Sequence, residues 1–180
     1  MRKNIKSFIK DIIPVIVGIL IALFINTWTE NRKEKKYIDK IFISINKELS
    51  ETNADIANTL SLQKSYIDTL DFYLLNDTIS LKDIIMKSNG INIPTIKLSS
   101  WKAISNSKIE LVDYDKLSAL ANIEQQSEIL SKKTERMGDF LYSNINETGK
   151  DKKEIMKMLF MDIMGTERQV QEGIEHIINK

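Results

Sequence analysis

Fourteen successive residues without a polar side chain, Ile12 to Ile25 (IIPVIVGILIALFI), constrain this chain more than any other feature. Such a run is a buried core helix, a cleaved export signal or a membrane span, and its length alone does not choose. At 1.5 Å per residue it covers about 21 Å, short of the roughly 30 Å hydrocarbon layer. The flanks decide. Phe8 and Ile9 lengthen it on one side; Asn26, Thr27 and Trp28 lengthen it on the other. Phe8 to Trp28 makes a helix of about 32 Å, which crosses a bilayer with little tilt. Lys10 can carry its ammonium out to the headgroups. Asp11 falls near the interface, where a carboxylate costs far less than at the midplane. Trp28 takes the position of an aromatic belt residue. The following INTWTEN offers no small-residue cleavage site, so the run is expected to be an uncleaved membrane anchor.

Inside the span, Pro14 stands near the start, where a missing N–H matters least. Gly18 and Ala22 form a small-xxx-small pair with two readings: a packing face for a second helix, or the ordinary small residues of a membrane helix. Basic residues flank both ends, with Arg2, Lys3, Lys6 and Lys10 before and Arg32, Lys33, Lys35, Lys36 and Lys40 after. The positive-inside comparison is nearly tied. The short basic tail and the absence of a later span favour a cytoplasmic N-terminus and a periplasmic body. Arg32-Lys33-Glu34-Lys35-Lys36 reads as a solvated collar at the membrane surface, within reach of anionic headgroups.

Few residues after the anchor break helices, since the whole chain of 180 holds six Gly and two Pro. Taking Arg2, Lys3, Lys6, Lys10 and Asp11 away with the anchor leaves 22 of 26 basic and 24 of 25 acidic residues. A body so close to neutral has no electrostatic footprint for nucleic acid. The lack of cysteine excludes disulfides, thiolate metal sites and thiol catalysis.

No Gly or Pro interrupts Arg32 to Ile79, and a stripe recurs at Ile38, Ile41, Ile45, Leu49, Thr52, Ile56, Leu60, Ile67, Leu70 and Leu74. Steps of three and four place these on one face of a long helix, which must find partners to bury them. Asn76-Asp77-Thr78 ends that run, and Ser80 caps a short helix, LKDIIMKS, that stops at Asn89-Gly90. INIPTIKL is expected to be extended around Pro94, and Ser99-Ser100 to cap a second short helix, WKAISNS. Asp113 caps a third long segment whose Leu117, Leu120, Ile123, Leu130, Met137, Leu141 and Ile145 approach a heptad. After the turn at Glu147-Thr148-Gly149-Lys150, a last helix carries Ile155, Leu159, Ile163, Val170, Ile174 and Ile177. The expected fold is all-α: a transmembrane helix continuing into a long antiparallel helical bundle with a small helical insertion. Its divisions are a basic tail (1–10), the anchor (11–28), a long amphipathic helix (29–79), the short-helix insertion (80–112) and two further bundle helices (113–180).

VIVGILIALFINTWTENRKEKK followed by a long amphipathic helix resembles the opening of a family of small single-anchor bacterial membrane proteins of unassigned function. SSWKAISNSKIELVDYDKLSALA resembles that family's second block, a short helix with an aromatic-x-Ala pair followed by an acidic-capped helix. Lys10-Asp11 stands where the family usually has Gly-Glu, and Phe24 where it has a polar residue in the span. The resemblance implies the inner membrane of a Gram-negative cell. It carries over no catalytic residue.

Reactive groups do not converge in the sequence. His176 is the one histidine, and with Glu172 it supplies two ligands where structural zinc takes four and catalytic zinc three. No Gly-rich phosphate loop is present. Glu124 and Glu128 have the spacing of a diiron pair but no Glu-x-x-His accompanies them, and they read as the wet face of their helix. Trp101, next to Ala103 and Ile104, is either a pocket or partner anchor or a plug for the bundle end. Met156, Met158, Met161 and Met164 are either core or an adaptable partner surface. The expected function is non-catalytic, without a cofactor or a metal. It is a bundle held at the bilayer as a scaffold or subunit of an envelope assembly, partnered by itself or by other envelope proteins. The alternative is an extracytoplasmic sensor that takes a small molecule near Trp101 and signals through a partner.

Overall fold

The computed structural model describes the backbone of residues 2–179 and the side chains of residues 12–179. The expectations for Arg2, Lys3, Lys6, Lys10 and Asp11 fall outside the described side chains. The chain is all-α, with helices α1 (Arg2–Phe72), α2 (Leu81–Lys87), α3 (Ser99–Ser105), α4 (Tyr114–Asn144) and α5 (Lys150–Ile178), and a 3-10 turn at Ile109–Leu111. Helix α1 passes through Pro14 without a break. Two compact units result, Met1–Phe42 and Ile43–Lys180, and α1 contributes to both.

In the second unit α1, α4 and α5 pack as a three-helix antiparallel bundle. Gln63 meets Glu167, Asp71 meets Lys157 and the Tyr73 carbonyl meets Lys153, so rising numbers on α1 oppose falling numbers on α5. Ile123 beside Gly173 and Lys133 beside Asp162 set the same opposition between α4 and α5. The buried residues keep steps of four and three along each helix: Ile45, Leu49, Thr52, Ile56, Thr59, Gln63, Tyr66 and Leu70 on α1. On α5 they are Lys153, Met156, Phe160, Ile163, Glu167, Val170 and Ile174, with Thr166 buried beside Glu167 outside that series. This is heptad packing, in which a seam of two positions per seven faces the partners. The aromatic centre is Tyr66 against Phe160, edge to face at 4.8 Å between ring centroids.

Several expected details shift. The first long helix ends at Phe72, not near Ile79, and residues 73–78 turn. Thr78 N–H and Oγ1 both donate to Asn76 Oδ1, the local bond by which Asn competes with helix. The last helix keeps part of the expected stripe: Ile163, Val170 and Ile174 are buried, Leu159 and Ile177 are half-buried, and Ile155 is 40% exposed, while Met156 and Phe160 take buried places beside them. Leu60 and Ile67 on α1 are only half-buried, because Thr59, Gln63 and Tyr66 hold the seam.

Between α1 and α4 the fourth side of the bundle is filled by a strap, residues 91–98, rather than by a helix. It descends along α1: Gln63 Nε2 donates to the Asn92 carbonyl, Thr95 N–H to Asp55, and Lys97 N–H to Thr52 Oγ1. Pro94 and Leu98 are buried in it. Helix α2 leads in with a full capping box between Ser80 and Asp83. It ends at Asn89 and Gly90, both at positive φ, where Gly90 relieves the strain that a side chain would meet. Asp113 caps α4 by accepting from Asp115 and Lys116 N–H. The expected Ser99-Ser100 cap of α3 is replaced: the N-cap position is Leu98, which makes no side-chain bond. Glu48 of α1 takes over, accepting from Ser100 N–H at 3.0 Å and from Ser100 Oγ at 2.9 Å. A carboxylate satisfies the orphan N–H groups of a helix start wherever it comes from.

Candidate functional site

Three features of the molecule bear on function: an apolar surface on α1, the surroundings of Trp101, and a buried polar layer in the bundle.

From Ile13 to Ile25 the large apolar side chains of α1 face outward, from 47% exposed at Val17 to 72% at Phe24. This is the one helix among the described residues long and apolar enough to cross a membrane, and none of its most apolar window is buried within the chain. The polar residues at its end are kept to themselves. Thr29 Oγ1 donates back to the Ile25 carbonyl at 2.8 Å, and Asn26 Nδ2 reaches Glu30 at 3.3 Å. Back-bonding of this kind lets hydroxyls border an apolar layer without an unpaired donor. Trp28 is exposed, and the Arg32 guanidinium lies 5.7 Å from its ring centroid. That stacking keeps the cation beside the ring at the end of the apolar stretch. Lys33, Lys35 and Lys36 are exposed on the next turn. A Cβ added at Gly18 would meet nothing within 4 Å, so the space over Gly18 and Ala22 is open on this chain.

Trp101 lies in the second unit and is 2% exposed. Its indole N–H donates to Glu124 Oε2 at 2.6 Å. Glu124 is thus half-buried and engaged, not part of a wet face, because a buried indole needs an acceptor. Glu128, one turn on, remains exposed, as does His176. Met156 belongs to the core, whereas Met158 and Met161 stand in solvent. Among the described residues no three metal-ligating side chains come together.

The polar layer is the feature that the sequence reading missed. Glu167 on α5 and Gln63 on α1 are fully buried, and Gln63 Nε2 donates to Glu167 Oε1 at 2.8 Å and to the Asn92 carbonyl at 3.0 Å. Burial raises the Glu167 carboxyl to about 7, against a downward pull from Gln63. Two heptads away, Lys153 sends its buried ammonium to the carbonyls of Tyr73 and Asn76. Burial pushes that ammonium down, with Asp77 pulling the other way. The signal was available: continuing steps of four and three back from Ile174 through Val170 lands on Glu167, Phe160 and Lys153. The expected stripe shares Ile163, Val170 and Ile174 with this seam but takes Ile155, Leu159 and Ile177 in place of its other members.

No family model matches the chain, and neither a curated protein nor a solved structure does.

Proposed function

We propose that this chain is a non-catalytic single-pass membrane protein whose helical bundle serves as a scaffold or subunit of an envelope assembly. One observation carries the reading: the most apolar window of α1 has none of its surface buried by the rest of the chain. A core helix would be covered by its own fold, so lipid or other chains must cover this one. Trp28, Arg32 and the exposed lysines at 33, 35 and 36 are the residues expected where such a span meets headgroups. The resemblance of the anchor and the central block to small Gram-negative inner-membrane proteins supports that compartment, with the bundle on the periplasmic side. The open space over Gly18 and Ala22 supports a second helix approaching there. Nothing comparable favours the sensor reading, since the indole of Trp101 is covered and its N–H engaged.

The absence of native cysteine makes the test clean. Single cysteines placed along 16–24 in the full chain, oxidised in native membranes, should crosslink at Gly18 and Ala22 and not on the opposite face. A chain that washes off vesicles with carbonate would end the anchor reading. Retention in the membrane without crosslinks at any position, and with no co-purifying protein, would end the assembly reading. A reporter fused after Lys180 and active only in the cytoplasm would reverse the orientation.

A further inference from the structure

The Gln63–Glu167 layer has an incomplete hydrogen-bond account. Gln63 Nε2 is fully used, since it donates to both Asn92 and Glu167, and these two acceptors fix which end of the amide is nitrogen. Gln63 Oε1 and Glu167 Oε2, both buried, have no protein donor. Two buried acceptors without a donor are costly, each by the desolvation of the group. A single proton on Glu167 Oε2 answers both, for that hydroxyl is a donor and Gln63 Oε1 an acceptor. A carboxylic acid and a primary amide then close a ring with one hydrogen bond in each direction.

We propose that Glu167 and Gln63 form a proton-operated latch: a carboxyl–amide ring, closed while Glu167 is protonated, that fastens the strap at residues 91–98 to α1 and α5. The link to the strap is the second bond of the same amide, Gln63 Nε2 to the Asn92 carbonyl. Loss of the proton leaves a buried carboxylate with one hydrogen bond and its second oxygen without a donor. Water relieves this only if the layer opens, and opening releases Asn92 with it. This inference does not depend on the membrane reading.

The charged surroundings do not supply a substitute counter-ion. On α4, Lys133 is committed to Asp162 at 2.7 Å and to Thr166 Oγ1 at 2.9 Å, and Glu135 is exposed. On α1, Lys64 is exposed and Tyr66 is a buried phenol held un-ionised by burial. On α5, Arg168 is exposed and flanks, with Lys64, a shallow groove over Ile67 and Met164. The strap from Ile91 to Ile96 has no ionisable side chain. The position of the carboxyl near 7 agrees with the geometry, because burial is its leading cause.

The test is a carbon-13 titration of labelled glutamate side chains in the full chain held in lipid nanodiscs, assigned by loss of one signal in Glu167→Gln. A carboxyl carbon that titrates near pH 7 is expected. One that titrates in the ordinary carboxylate range overturns the proposal, and this measurement stands on the wild-type fold alone. Hydrogen exchange of the Thr95 and Lys97 amides reads the strap. If opening frees an ordinary carboxylate, its equilibrium should rise about tenfold per pH unit from pH 5 to 7 and level off above. Glu167→Gln, which keeps both bonds as an amide–amide pair, should remove that rise. Equal pH profiles in the two proteins would show that the strap ignores Glu167. In Gln63→Leu the two amides should exchange fast at every pH, and wild-type protection there would show that Gln63 is not the fastener.

Discussion

Lys153 Nζ donates to the backbone carbonyl of Asn76 at 2.6 Å, so a lysine on the last helix closes the end of the first. The same ammonium takes the carbonyl of Tyr73 at 3.0 Å. Both carbonyls belong to the turn that follows α1, and each also accepts a backbone N–H, Tyr73 from Asn76 and Asn76 from Ile79. Lys153→Met fills the volume but removes the charged second donor from both carbonyls. We expect a loss of about 2 kcal/mol in unfolding free energy, read from urea midpoints. Faster hydrogen exchange should be confined to residues 73–79.

Trp101 and Glu124 should behave as one unit. Trp101→Phe keeps most of the ring but leaves a half-buried carboxylate without its 2.6 Å donor. Glu124→Gln keeps an acceptor for the indole. The first should cost more than the second, by roughly 1 to 2 kcal/mol, and Trp101→Ala should cost about 3 to 5 kcal/mol. A double-mutant cycle on denaturation midpoints measures the coupling, which should vanish if the two side chains act independently.

Glu48 and Glu51 neighbour each other on α1 and do different things. Glu48→Ala uncaps α3 at Ser100, for which a loss of about 1 to 2 kcal/mol is expected. Glu51 pairs with Lys97 in solvent, which holds the carboxyl of Glu51 below its ordinary value. Lys97→Met should nonetheless leave the unfolding midpoint in place, because exposed pairs contribute little. The pair of midpoints, compared at one salt concentration, checks both expectations.

Stability should fall as pH rises from about 4.5 to 7. Glu167 holds its proton in the fold up to about 7 but releases it near 4.5 when unfolded. Between those values the native state binds more protons than the unfolded one, and the slope of unfolding free energy against pH is negative. The full effect amounts to roughly 3 kcal/mol, complete below 4.5 and absent above 7. Other carboxylates titrate over the lower part of that window, so the quantity to measure is wild type minus Glu167→Gln at each pH. A difference that does not vary with pH would assign Glu167 an ordinary environment.

The long apolar helix, the helix order and two of the caps were readable because each is a local property. Fourteen apolar residues make their own case, and Ser80 and Asp113 cap with atoms two or three residues away. The α3 cap was not readable, because its acceptor comes from Glu48, 52 residues earlier. The turn after α1 was legible in Asn76-Asp77-Thr78, but the lysine that also takes its carbonyls was not, because Lys153 lies on α5. The buried face of α5 was legible at Ile163, Val170 and Ile174 but not at its polar members, because hydrophobicity was weighed above phase. Lys153 and Glu167 occupy seam positions, and a reading that follows isoleucines passes over them. What stayed illegible is therefore the set of polar bonds between distant parts of the chain. Those bonds also hold the candidate latch.

The 104 residues that separate Gln63 from Glu167 set a delay in the life of each new molecule. At ribosomal speeds of about 5 to 20 residues per second, the first helix waits on the order of 5 to 20 s for the last one to be made. During that wait this part of α1 has only earlier-made segments to settle on, the strap and α3, held to it through Thr52, Asp55 and Glu48. Until synthesis reaches α5, one side of its apolar seam stays uncovered.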